Sequence, residues 1–170
     1  MVIQDMPAVR PLQTQVLPDG TTRPFLPNPS QQADFNRQLS LLILQHRSYP
    51  SIITWIIYNE GWGQVTTLPY PEIALTEMVR SLDPTRLIDS TSGWYDHGAG
   101  DFSDNHHYAN PQCGSHFYSI KSSPYDASRI GFQGEFGGLG NNVSIGHLWD
   151  VEQAIGEIEQ TYEIDMDVGA

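Results

Sequence analysis

Ser51-Ile52-Ile53-Thr54-Trp55-Ile56-Ile57-Tyr58, followed by Asn59-Glu60, is the stretch on which the fold turns. β-Branched and aromatic residues follow one another with no apolar-polar alternation, as in a strand buried on both faces of a parallel sheet. Arg47-Ser48-Tyr49-Pro50 separates it from a helix that ends near His46 and carries Phe35, Leu39, Leu42 and Ile43 on one stripe, with Ser30 available as its cap. Downstream, Gly61 and Gly63 mark a loop, and Pro71 opens a second helix with Ala74, Leu75, Met78, Val79 and Leu82 on its apolar face. Asp83-Pro84 stops that helix, which completes one βα unit. Strands are then predicted at Arg86–Thr91, more weakly at Asp104–Tyr108, and at Arg129–Gln133, with a last helix over Asp150–Ile164. Upstream, Pro7, Pro11, Pro18, Pro24, Pro27 and Pro29 predict an irregular loop over 7–29. Strands alternating with helices make the fold class α/β.

The chain has 170 residues, enough for one domain but short of the roughly 250 of a complete (β/α)8 barrel. Eight basic against 20 acidic residues give a formal charge of −12, which argues against nucleic acid or an anionic membrane as partner. The longest apolar run, Ile52–Tyr58, is far below the roughly 20 residues of a membrane span, and the N-terminus lacks the features of a signal peptide, so a soluble chain is expected. Cys113 is the single cysteine and can form no internal disulfide. Asn142-Val143-Ser144 fits the glycosylation acceptor pattern, which matters only in a secretory setting.

Chemistry concentrates at two strand ends. Asn59-Glu60-Gly61-Trp62-Gly63 puts a carboxamide, a carboxylate and an indole at the end of the most buried strand, where parallel α/β folds place their sites. Alone, Glu60 would read as a solvated loop carboxylate. Gly131-Phe132-Gln133-Gly134-Glu135-Phe136-Gly137-Gly138 repeats the arrangement, an apolar strand running into a glutamate hemmed by glycines. Glycoside hydrolysis needs two carboxyl groups flanking the scissile bond, about 5 to 5.5 Å apart in the retaining version. The 75 positions from Glu60 to Glu135 leave room for the two intervening βα units. Trp62, Trp94 and Trp149 are candidates to stack on sugar faces, whereas Trp55, in mid-strand, belongs to the core.

His46-Arg47-Ser48-Tyr49-Pro50-Ser51-Ile52-Ile53-Thr54-Trp55 through Asn59-Glu60, then Ser81-Leu82-Asp83-Pro84-Thr85-Arg86, Asp104-Asn105-His106-His107-Tyr108 and Gly134-Glu135-Phe136-Gly137-Gly138, in that order, resemble the catalytic barrel of glycoside hydrolase family 2, which contains β-galactosidases and β-glucuronidases. Gln4-Asp5-Met6-Pro7 resembles the end of that barrel's third strand. The resemblance implies a partial (β/α)8 barrel, approximately strands three to seven, over a single truncated domain of residues 1–170. It implies a retaining β-glycosidase acting on a β-linked glycoside or oligosaccharide by double displacement, with Glu60 as acid/base and Glu135 as nucleophile. Asn59 matches the asparagine that bonds the sugar 2-hydroxyl, Tyr108 the tyrosine that touches the nucleophile, and at least one of His106 and His107 a sugar contact. The mechanism requires Glu60 to hold a proton while Glu135 is ionised, so burial beside Trp62 and a neighbouring negative charge are expected to favour the neutral form of Glu60. No cofactor or metal is implied.

Two further readings are carried forward. One is an inactive carbohydrate-binding remnant, because strands one, two and eight of the barrel have no counterpart in the chain. The other is a metal-dependent hydrolase using His97, Asp101, His106 and His107.

Overall fold

The computed structural model describes residues 1–8, 14–16, 22–24, 27–107 and 126–136. Its elements run β1 (Val2–Asp5), β2 (Thr14–Val16), β3 (Thr22–Pro24), α1 (Pro29–His46), β4 (Ile52–Asn59), α2 (Pro71–Leu82), β5 (Leu87–Ser92), β6 (Phe102–His107) and β7 (Ile130–Phe136). The architecture is α/β, with parallel strand pairs and two helices.

β4 is the centre of a three-stranded sheet, pairing in parallel with β1 on one side and β5 on the other. Thr54 through Tyr58 are all buried, as the uninterrupted apolar run requires of a strand covered on both faces. β6 and β7 form a second parallel pair, in which His106 stands opposite Glu135. Asp101 joins the two sheets: its N–H donates to Ile88 O (2.7 Å), its carboxylate accepts from Ile88 N–H (2.8 Å), and its carbonyl accepts from Ile130 N–H (2.8 Å). The described strands do not close into a barrel.

α1 begins two residues earlier than a Ser30 cap would give. Asn28 caps it, accepting from Gln31 N–H while its own N–H donates to the Gln31 side chain, both at 2.9 Å. This reciprocal box, with Pro29 preset for the first turn, satisfies two end donors that a Ser30 cap would leave open. Phe35, Leu39 and Ile43 are buried as their spacing predicts, and Phe35 stacks on Tyr58 with centroids 5.0 Å apart. In α2, Leu75 and Val79 are buried and Met78 and Leu82 pack partly against the core. Ala74, expected on that face, is exposed; Glu72 and Thr76 are buried in its stead.

Asp83 does more than end α2. Buried beneath β4, its carboxylate accepts from Trp55 Nε1 (3.0 Å), Arg86 Nη1 (2.8 Å) and Thr85 Oγ1 (2.6 Å). The loop predicted over 7–29 is corrected in part: β2 and β3 pair as an antiparallel hairpin within it. Two three-residue strands are too short to show periodicity, and Pro24 is tolerated because it ends its strand. The helix expected over 150–164 lies outside the described residues. No helix among the described residues is long and apolar enough to cross a membrane.

Candidate active site

Glu60 leaves β4 in the left-handed backbone region, with φ of 51°, and its N–H is held by Ser92 O at 3.0 Å. A non-glycine residue there stores strain, a feature that clusters at functional sites. Glu135 lies near the end of β7, half-buried. Between them stands His106, whose residue is 1% exposed. Its Nδ1 lies 2.9 Å from Glu60 Oε1 and 3.8 Å from Glu135 Oε1. One oxygen of each glutamate and one nitrogen of His106 lie within 4.8 Å of one another. Two carboxylates distant in sequence therefore meet.

The far side of the ring faces Asp104, with Nε2 3.4 Å from Asp104 Oδ2. Asp104 Oδ1 accepts from Gly134 N–H at 2.6 Å, and any side chain at Gly134 would collide with that carboxylate. Gly93 is equally constrained: at φ of 77°, a Cβ would lie 2.5 Å from the imidazole Cγ. Burial disfavours the His106 cation, but hydrogen bonds to Asp104 and Glu60 and the charges of Glu135 and Asp104 outweigh it, pushing the pKa up to about 10. The shift favours the protonated ring at neutral pH, and Glu60, His106 and Glu135 also have the spacing of a metal-binding cluster.

Behind Asp104 lies Asp89, also 1% exposed. Burial, then the charge and hydrogen bonding of Asp104, raise Asp89 well above the usual carboxylate range, against the smaller opposing influence of the Thr91 N–H and His106. Asp89 and Asp104 thus form a buried carboxyl pair that titrates as a unit. On the opposite edge of the sheet, the Asp5 carboxyl at the end of β1 is raised by desolvation and by Glu135, with His106 opposing and Asp104 adding. Asp5 therefore lies within electrostatic reach of residues of β6 and β7.

Other expected residues fall as follows. Asn59 is fixed by Ser92 Oγ, which donates to its Oδ1 at 2.5 Å. Trp62 is half-buried in the loop after Glu60, and Trp94 is half-buried with its Nε1 covered and without a hydrogen-bond partner among the described residues. His107 pairs with Phe136 through its backbone. Tyr108, Trp149, Cys113 and Asn142 lie outside the described residues. Among the described residues, Glu60 has both His106 Nδ1 at 2.9 Å and, within 4.8 Å, an oxygen of Glu135, the negative neighbour expected from the sequence. His97 and Asp101 are not brought to His106: His97 Nδ1 pairs with the buried Glu72, and Asp101 binds Arg80 and Ile88 N–H. Glu72 was missed because a carboxylate in the first turn of a helix ordinarily faces water. Here it accepts from Gln64 Nε2 (3.2 Å), which also reaches Tyr95 O (3.1 Å), stitching the loop after β4 to the loop after β5.

No protein-family profile matches this chain, and no curated protein does.

Proposed function

We propose that the chain is the catalytic part of a retaining β-glycosidase, built on strands three to seven of a (β/α)8 barrel, with Glu60 as acid/base and Glu135 as nucleophile. One observation carries this reading: oxygens of Glu60 and Glu135, 75 positions apart, approach within 4.8 Å at the ends of two parallel strands. That approach suits the retaining reaction, whose carboxyl groups stand about 5 to 5.5 Å apart. The electrostatic reach of Glu135 on β7 to Asp5 on β1 supports the barrel reading.

Glu135 would attack the anomeric carbon while a proton passes from Glu60 to the leaving oxygen. Glu60 then takes a proton from the water that releases the sugar. With Asn59 Oδ1 held by Ser92, its NH2 is the end that can donate to a sugar hydroxyl. Arg80, Arg86 and Arg129 are engaged with Asp101, Asp83, and Asp96 and Asp126, so none of these cations faces the glutamates, which favours a neutral sugar over a uronate.

A 2-fluoro glycoside with an activated leaving group tests the assignment. The expected result is a covalent sugar on Glu135, read by mass spectrometry of peptides; a label elsewhere overturns it. The open arrangement of the described strands favours one competing reading, a remnant that binds sugar without turnover. Calorimetry with simple β-glycosides distinguishes them, since heat of binding without release of product identifies the remnant.

A further inference from the structure

An acid/base glutamate needs a proton when the leaving group departs. A ring nitrogen able to carry one, His106 Nδ1, lies 2.9 Å from Glu60 Oε1. His106 is placed to keep it. Both ring nitrogens face carboxylates, Glu60 and Glu135 on one side and Asp104 on the other. A doubly protonated ring suits that arrangement, because each ring N–H then has a carboxyl oxygen to donate toward. Among the described residues, the carboxyl groups that act on the ring come from several strands: Asp5 of β1, Glu60 after β4, Asp89 of β5, Asp104 of β6 and Glu135 of β7.

We propose that His106, clamped by Asp104, is the proton store of Glu60: the Nδ1 proton moves to Glu60 Oε1 as Glu60 protonates the leaving group, and returns when Glu60 takes a proton from the attacking water. In the first half the N–H bond breaks, an O–H bond forms on Glu60, and that proton leaves on the departing alcohol. His106 is then neutral until water supplies the replacement through Glu60. The transfer rests on the glycosidase reading, whereas the charge on His106 does not. His106 and Asp104 act through Glu60, so both are positioning residues.

The test has two arms. In the full chain, long-range proton–nitrogen NMR of His106 should show both ring nitrogens protonated at pH 8, and Asp104→Asn should increase the acid dissociation constant of the ring at least tenfold. A wild-type ring that titrates near 6.5, or one indifferent to Asp104→Asn, overturns the store. In the second arm, kcat/KM is followed against pH for an aryl β-glycoside with a poor leaving group. His106→Gln should move the basic limb more than one unit toward acid, because a carboxyl alone cannot keep the proton as long as the pair does, and a substrate with a good leaving group should be far less affected. A merely structural loss would lower both substrates together without moving the limb. If the fluorosugar labels Glu135 but the limb stays where it was, the store fails and the glycosidase reading stands. If the ring titrates as expected but no glycoside is bound or turned over, the glycosidase reading fails and takes the transfer step with it.

Discussion

Replacing Gly93 by alanine probes how tightly the site is assembled. The new methyl carbon would lie 2.5 Å from Cγ, 2.6 Å from Nδ1 and 2.9 Å from Cδ2 of His106. Carbon atoms in contact need roughly 3.5 Å, so the ring must retreat by about 1 Å. A retreat of that size lengthens the 2.9 Å bond to Glu60 beyond hydrogen-bonding range. Forcing a side chain into the left-handed region at φ of 77° costs about 1–2 kcal/mol, and overpacking a buried ring about 1–3 kcal/mol more. Urea denaturation at pH 7 should therefore show Gly93→Ala less stable by about 2–5 kcal/mol, with the nitrogen shifts of His106 displaced. A loss under about 0.5 kcal/mol with unchanged His106 shifts would refute the packing argument.

Stability should also fall in alkali. His106 titrates at about 10 when folded against an ordinary 6.5, so its contribution is complete below pH 6.5 and is lost as pH rises toward 10. The decline approaches about 1.4 kcal/mol per pH unit and should be absent from His106→Gln; Tyr58, pushed up to about 12 chiefly by burial, affects only the range above pH 10. Asp83→Ala should cost about 3–5 kcal/mol in denaturant melts, because it strands the Trp55 indole N–H and the half-buried Arg86 charge. Burial opposes ionisation of Asp83, but its donors Thr85, Trp55 and Arg86 prevail and hold the carboxyl below its ordinary 3.8, so its contribution is present above that pH and is lost in acid as pH falls through the lowered pKa. Glu135→Ala should abolish glycosyl-enzyme formation, whereas Glu60→Ala should spare activated aryl glycosides and yield a β-glycosyl azide on addition of azide; an α-azide from Glu60→Ala would reverse the roles.

The parts of the fold legible in the sequence are those in which apolar residues face inward. Residues 52–58 could hardly be anything but a buried strand, and Phe35, Leu39 and Ile43 could hardly be anything but a helix face. Polar interiors are another matter. In Phe102–His107, Asp104 and His106 alternate as one face of a strand should, but both are charged, and period-two spacing of polar residues looks the same whether that face meets water or a partner. The same strand therefore reads as weak and His106 as a sugar contact, although both Asp104 and His106 are buried. Asp89, inside Leu-Ile-Asp-Ser-Thr-Ser, gives no sign that its carboxyl sits against another contributed from β6. Glycines were informative in kind only: flanking Glu135 they signalled close approach, and the atoms approaching Gly134 turned out to be those of Asp104.

The backbone of Glu60 bears on how such a chain would change under drift. At φ of 51° a glycine or asparagine would be at ease where glutamate is strained, by about 1–3 kcal/mol. Position 60 is therefore one at which two demands oppose each other: glycine would relieve the backbone but would take from the buried His106 its 2.9 Å partner. A lineage released from the need for chemistry is held there by the imidazole that the carboxylate faces.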